Sequence, residues 1–135
     1  MNREDILARL REALADIDIH PRMIEELKEL IAESGVEQQF LNLLLTRLKQ
    51  LKANGAQAVK MEEFESLGDG LFSMHLAKAN FNIRILYTFL PNRKPCLLLC
   101  FYERSGKRAT DYTNKIPTAL NRYSEKLEAY KNGEK

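Results

Sequence analysis

The 135-residue chain is poor in the residues that usually advertise a site: it has two cysteines and two histidines. It also lacks any long hydrophobic run. Each shortage excludes something. Crossing a bilayer as a helix takes about 18 or more consecutive apolar residues, so no membrane partner is expected. The opening Met-Asn-Arg-Glu-Asp is polar and leads into an amphipathic stretch, unlike a secretion signal. Both points argue for the cytoplasm. Cys96 and Cys100 lie in one apolar run, and His20 and His75 stand at no ligand spacing from them, so no metal centre is expected. A cytosolic setting argues against a disulfide. On a regular strand the two cysteines would share a face with Leu98 as buried thiols. No repeat or low-complexity segment is present.

What remains is ordinary for a soluble domain: 44% apolar and 30% charged residues, at a length that supports one core and not two. A net charge of +2 conceals an asymmetry. Residues 1 to 83 carry 10 Lys/Arg and 14 Asp/Glu, a net of −4, whereas residues 84 to 131 carry 10 and 4, a net of +6. A basic half suits nucleic acid or another polyanion. A solvated helix face would look the same from charge alone.

Hydrophobic spacing divides the chain in two. Residues 2 to 15 place Ile6, Leu7, Leu10 and Leu14 on one helical stripe, with Asn2 as N-cap. The alternating Asp-Ile-Asp-Ile-His at 16 to 20 reads as a short edge strand before Pro21. A second helix carries Met23, Ile24, Leu27, Leu30 and Ile31 and stops at Ser34-Gly35. A third, to Asn54, carries Phe40, Leu41, Leu44, Leu45, Leu48 and Leu51, forming a helical hairpin with the second. From Phe64 the pattern turns to β. Leu71 to Lys78 and Phe81 to Leu90 flank the two-residue turn Ala79-Asn80, which sets His75 opposite Arg84.

The following strand puts Leu97, Leu99 and Phe101 on one face and Cys96, Leu98 and Cys100 on the other, as a central strand would. A loop from Arg104 to Asn114 leads into a last helix with Pro117 in its first turn and a stripe of Ile116, Ala119, Leu120, Tyr123 and Leu127. The reading is one α+β domain over residues 1–135: N-terminal helices, an antiparallel sheet of three to four strands in meander order, and a C-terminal helix.

Arg84 is the anomaly in this pattern. A guanidinium within an otherwise apolar strand needs a partner. A phosphate would serve, and so would a structural ion pair with a carboxylate. Arg84 shares its strand face with Asn82 and Thr88, and it is expected to point into a concave groove lined by cations. Downstream, Phe101-Tyr-Glu-Arg104-Ser-Gly-Lys107-Arg108 ends the β region in clustered positive charge, either phosphate contacts or a solvated loop.

Three segments resemble the RelE/ParE superfamily of bacterial toxins, and within it the phage-related HigB-like branch. They are Gly68-Asp-Gly-Leu-Phe-Ser73-Met-His75, then Phe81-Asn-Ile-Arg84-Ile-Leu-Tyr87, then Phe101 to Arg108. The resemblance covers residues 16 to 130 as an order of elements, and the helix at 2 to 15 is an addition to it. It implies the toxin of a type II toxin–antitoxin system, a metal-independent messenger-RNA endoribonuclease working on the ribosome without cofactors. Its implied partners are mRNA and a cognate helix-turn-helix antitoxin. By resemblance Arg84 clamps the phosphate, with Arg104, Lys107 and Arg108 as further contacts; cations there would stabilise the phosphorane.

His75 is either an acid–base group, since imidazole titrates near neutrality, or a half-exposed strand residue. Tyr112 either stacks on a base or moves a proton, or packs against the last helix. Ser73, His75 and Glu103 depart from the family pattern. They leave open a second class of function, a toxin-fold protein that binds gyrase or nucleic acid without cutting. The extra N-terminal helix must bury its stripe, against the hairpin of its own chain or in a homodimer.

Overall fold

The computed structural model describes residues 3–104 and 108–133, apart from the side chains of Arg3, Ile6, Arg108, Ala109 and Thr110. The chain runs α1 (Arg3–Leu14), β1 (Asp18–Ile19), α2 (Pro21–Ser34), α3 (Glu37–Asn54) and a 3₁₀ segment (Gly55–Lys60). It continues with β2 (Phe64–Gly68), β3 (Leu71–Lys78), β4 (Phe81–Phe89), β5 (Pro95–Tyr102) and α4 (Arg108–Lys131). Local chemistry sets these boundaries. His20 caps α2 by accepting the Arg22 N–H at 3.2 Å, and Pro21 fills the first helical position, where an N–H would go unused. Gly35 ends the same helix in the left-handed conformation, φ 70°. The Asn2 cap lies outside the described residues.

The sheet order is β1-β5-β4-β3-β2. Strands β2 to β5 form the expected antiparallel meander, and the Asp18-Ile19 segment adds a fifth strand parallel to β5. The sheet is therefore mixed. Helices α1, α2 and α3 cover one face, where Phe40, Leu48, Leu51, Met23, Leu76, Ile83 and Ile85 are buried together. Leu10 and Ala13 of α1 join that cluster, with Leu7 and Leu14 packed against it, so this helix buries its stripe within its own chain. Ile24 is the exception to the predicted stripe of α2, at 42% exposure. Helix α4 covers part of the other face through Ile116, Ala119, Leu120, Tyr123 and Leu127.

Two readings from sequence are corrected. The strict alternation along β5 fails because a bulge interrupts its pairing with β4. Leu86 faces Leu99 while Tyr87 faces Leu97, leaving Leu98 as the extra residue. One inserted residue flips the side-chain alternation. Leu97 and Cys100 thus point to the three-helix face, while Cys96, Leu98, Leu99 and Phe101 point to α4. The two cysteines lie on opposite faces. Both are buried thiols, and desolvation pushes Cys96 up to about 12 and Cys100 upward as well. The second correction concerns α4, which starts at Arg108 and not after Asn114, so Pro117 lies inside the helix. The lost N–H bond at Pro117 is tolerated in a helix whose apolar stripe is packed along its length.

Candidate functional site

Two hairpins assemble a polar pocket on the α4 side of the sheet. In the first, Asp69 and Gly70 adopt left-handed φ values of 55° and 78°, the backbone of a tight hairpin turn. That turn sets Glu65 of β2 opposite Ser73 of β3. In the second, the Ala79-Asn80 turn sets His75 opposite Arg84 and Ala77 opposite Asn82. Glu103 follows β5 directly, its N–H bonded to the Asn82 carbonyl at 2.8 Å. Tyr112, in the first turns of α4, reaches over the pocket.

The Arg84 guanidinium is nearly enclosed, with 11% of its side chain exposed. Its Nε donates to Glu103 Oε1 at 3.1 Å and its NH2 to Glu103 Oε2 at 3.5 Å. On the other side NH1 stands 3.8 Å from Glu65 Oε1, and the guanidinium carbon lies 6.0 Å from the centre of the Tyr112 ring. The described neighbours of Arg84 are therefore carboxylates and a phenol. Of the cations expected to line a groove here, Arg104 pairs with Asp111, and Lys107 and the Arg108 side chain lie outside the described residues. The arginine is held by an ion pair with Glu103.

Hydrogen bonding fixes the protonation of the remaining groups. Asn82 Nδ2 donates to the Glu103 carbonyl at 3.1 Å and to Glu103 Oε2 at 3.2 Å. Asn82 Oδ1 must then accept, which makes His75 Nε2 the donor in their short contact. Tyr112 donates its hydroxyl proton to Glu65 Oε1 at 2.8 Å, so Ser73 Oγ, also at 2.8 Å, donates to Tyr112. Burial is the chief cause that pushes the Tyr112 phenol above its ordinary pKa, and the Glu65 bond adds to it. Tyr112 consequently stays protonated near neutral pH.

The structure thus brings together His75, Arg84 and Tyr112 from the sequence-predicted set. Arg104 is committed elsewhere, with its Nε donating to Asp111 Oδ1 at 2.9 Å and its backbone N–H to Oδ2 at 3.0 Å. Lys107 lies outside the described residues, as does the Arg108 side chain. Glu65, Asn82, Ser73 and Glu103 complete the pocket although none was singled out as a site residue. Reading Asp69-Gly70 as a hairpin turn would have found Glu65, since it fixes the β2 register.

The Arg104 pair has a testable consequence. Hydrogen bonds from the Arg104 side chain and backbone hold the Asp111 carboxyl below the usual carboxylate range. A lowered folded-state value means that the stabilisation is present at neutral pH and is lost as pH falls through the acidic range. Asp111→Asn is expected to flatten the fall in urea midpoint between pH 7 and pH 3. An unchanged profile in that variant would show that the pair does not contribute.

Among the described residues, no group of three or more His, Cys, Asp or Glu is arranged to hold a metal ion. No helix among them is long and apolar enough to cross a membrane. The family model for phage-derived Gp49-like proteins (DUF891) matches residues 22–124. The chain belongs to this Gp49-like family. Gp49-like proteins fall within the RelE/ParE-like toxin superfamily, in keeping with the helices, meander and C-terminal helix described above. No curated protein and no solved structure matches the chain. The matched stretch includes every residue of the polar pocket, and α1 lies ahead of it.

Proposed function

We propose that this Gp49-like protein is the toxin of a type II toxin–antitoxin pair, of the HigB-like kind, and that it cleaves messenger RNA in the cytoplasm. The observation that carries the reading is a single arginine held in a pocket with an imidazole and a protonated phenol. Transesterification of RNA by its own 2′-hydroxyl needs those three things. A cation meets the charge that develops on the nonbridging oxygens, and acid and base groups move the protons. Arg84 supplies the cation, and its planar fork matches a phosphate. His75 is placed to transfer a proton, and the Tyr112 hydroxyl stands beside the same guanidinium as a hydrogen-bonding group. Lys107 and Arg108 would extend the contact along the RNA backbone. No metal is required by this scheme. A cognate antitoxin, expected to be a helix-turn-helix protein, would neutralise it.

One observation favours a second reading, a toxin-fold protein that binds gyrase or nucleic acid without chemistry. The Arg84 fork is already satisfied by Glu103. Expression of the intact chain in growing bacteria separates the two. Growth arrest with cleaved messenger RNA supports the nuclease, whereas arrest with intact messenger RNA and inhibited gyrase supports the binding protein. Undisturbed growth, with intact messenger RNA, would contradict the nuclease and the gyrase inhibitor alike.

A further inference from the structure

Arg84 presents one edge with two parallel donors, Nε and NH2, and that edge is the one suited to two oxygens of a phosphate. In the resting protein both donors point at the two oxygens of Glu103, at 3.1 and 3.5 Å. The opposing carboxylate, Glu65, stands 3.8 Å from NH1 and also accepts the Tyr112 hydroxyl. An incoming phosphate that uses the fork must therefore meet Glu103 first. Glu103 follows the last residue of β5, and its side chain is held by Asn82 Nδ2 at 3.2 Å. Its side chain is 10% exposed, and His75 Nε2 lies 4.0 Å from its Oε2.

We propose that the Glu103 carboxylate occupies the seat of the scissile phosphate on Arg84, and that RNA displaces it to a position where it accepts the 2′-hydroxyl proton. This role rests on the nuclease reading given above. The displaced carboxylate stays beside the phosphate it has yielded to, within reach of the adjacent ribose. The 2′-hydroxyl gives its proton to Glu103, and its oxygen pair forms the new bond to phosphorus. The bond from phosphorus to the 5′-oxygen breaks, and that oxygen takes a proton from His75 in its imidazolium form. The products are a 2′,3′-cyclic phosphate and a 5′-hydroxyl. Proton exchange with water returns Glu103 to its anion and His75 to its cation, and product release lets the carboxylate reoccupy the fork. Glu103 thus has two duties, keeping the arginine oriented and starting the reaction.

The two duties move affinity and rate in opposite directions. Glu103→Gln keeps the size of the side chain but removes the charge that competes with phosphate. Two probes are used with the full-length protein: an RNA oligonucleotide carrying 2′-O-methyl groups throughout, which cannot react, and the unmodified RNA on translating ribosomes. The variant is expected to bind the methylated RNA several-fold tighter and to cleave the unmodified RNA ~10²-fold more slowly. A merely structural glutamate would instead weaken both. Circular dichroism and urea unfolding establish that the variant is folded. Glu103→Asp, which keeps the charge, serves as the conservative control and should recover part of the rate.

Unchanged or weaker binding by folded Glu103→Gln would overturn the shared seat. Tighter binding with unimpaired cleavage would overturn the role as proton acceptor. Absence of cleavage by the wild-type protein, with the gain in affinity intact, would overturn the nuclease reading and the proton transfer with it. The displaced carboxylate would then stand as the control of a binding site.

Discussion

Arg84→Ala is expected to abolish growth arrest and to lower RNA cleavage by ~10²-fold or more, the scale seen when one preorganised charge is removed from a transition state. The substitution also removes both guanidinium contacts of Glu103, which is nearly buried and keeps its Asn82 bond. Losing a charged hydrogen-bond partner costs a nearly buried carboxylate about 1–3 kcal/mol, so the variant should be less stable as well as less active. Arg84→Lys separates the effects. Lysine keeps a positive charge between the two glutamates and so keeps most of the stability. It offers a point charge in place of a fork, and most of the rate should still be lost. Single-turnover cleavage at equal folded fraction decides the matter. Full activity in Arg84→Lys would make the arginine a structural residue.

The largest effect on stability is expected at Arg122 of α4, beside β5. Its NH1 and NH2 donate to the two oxygens of Glu26 at 2.8 and 2.7 Å, tying α4 to α2. The pair also closes the exposed edge of β5, beyond the two residues paired with β1. NH1 donates to the Leu98 carbonyl at 2.9 Å, and Glu26 accepts the Cys100 N–H at 3.4 Å. Edge strands left open invite pairing with other chains. The Arg122 side chain is 7% exposed and that of Glu26 29%, so the charge left behind by a single substitution is partly but not fully solvated. Arg122→Leu should cost about 3 kcal/mol in urea unfolding, a large share of a typical domain stability of about 5–15 kcal/mol. Adding Glu26→Leu removes the stranded carboxylate, and the double variant should be more stable than the sum of the single losses by at least about 1 kcal/mol. Additive losses would show that the two residues act separately.

Much of this architecture is legible in the sequence because most segments follow one period. The stripes of α1, α3 and α4 and the Ala79-Asn80 turn are local patterns, and the turn sets His75 against Arg84 by arithmetic. Features governed by a single residue were harder to read. The bulge at Leu98 moves Cys96 and Cys100 to opposite faces, and nothing in a run of consecutive leucines marks where alternation slips. The start of α4 was hidden because Asp111 and Tyr112 read as loop polarity around a basic cluster. In the fold Asp111 accepts from Arg104, and Tyr112 reaches Glu65 and Ser73 from the helix. The site was half legible. An arginine in an apolar strand announced that it needed a partner, but the identity of that partner depended on Glu65 and Glu103, which are far apart in sequence. Of the two possibilities named for Arg84, the ion pair is present, and the phosphate contact is the one the proposal adds.

The most direct test of the account is the chemistry of the RNA ends. Purified protein is added to ribosomes translating a defined messenger RNA, and both new termini at each break are identified. The account predicts 2′,3′-cyclic phosphate and 5′-hydroxyl ends with the wild-type chain, and their loss with Arg84→Lys at equal folded fraction. Intact messenger RNA, or breaks bearing a 5′-phosphate, would contradict it.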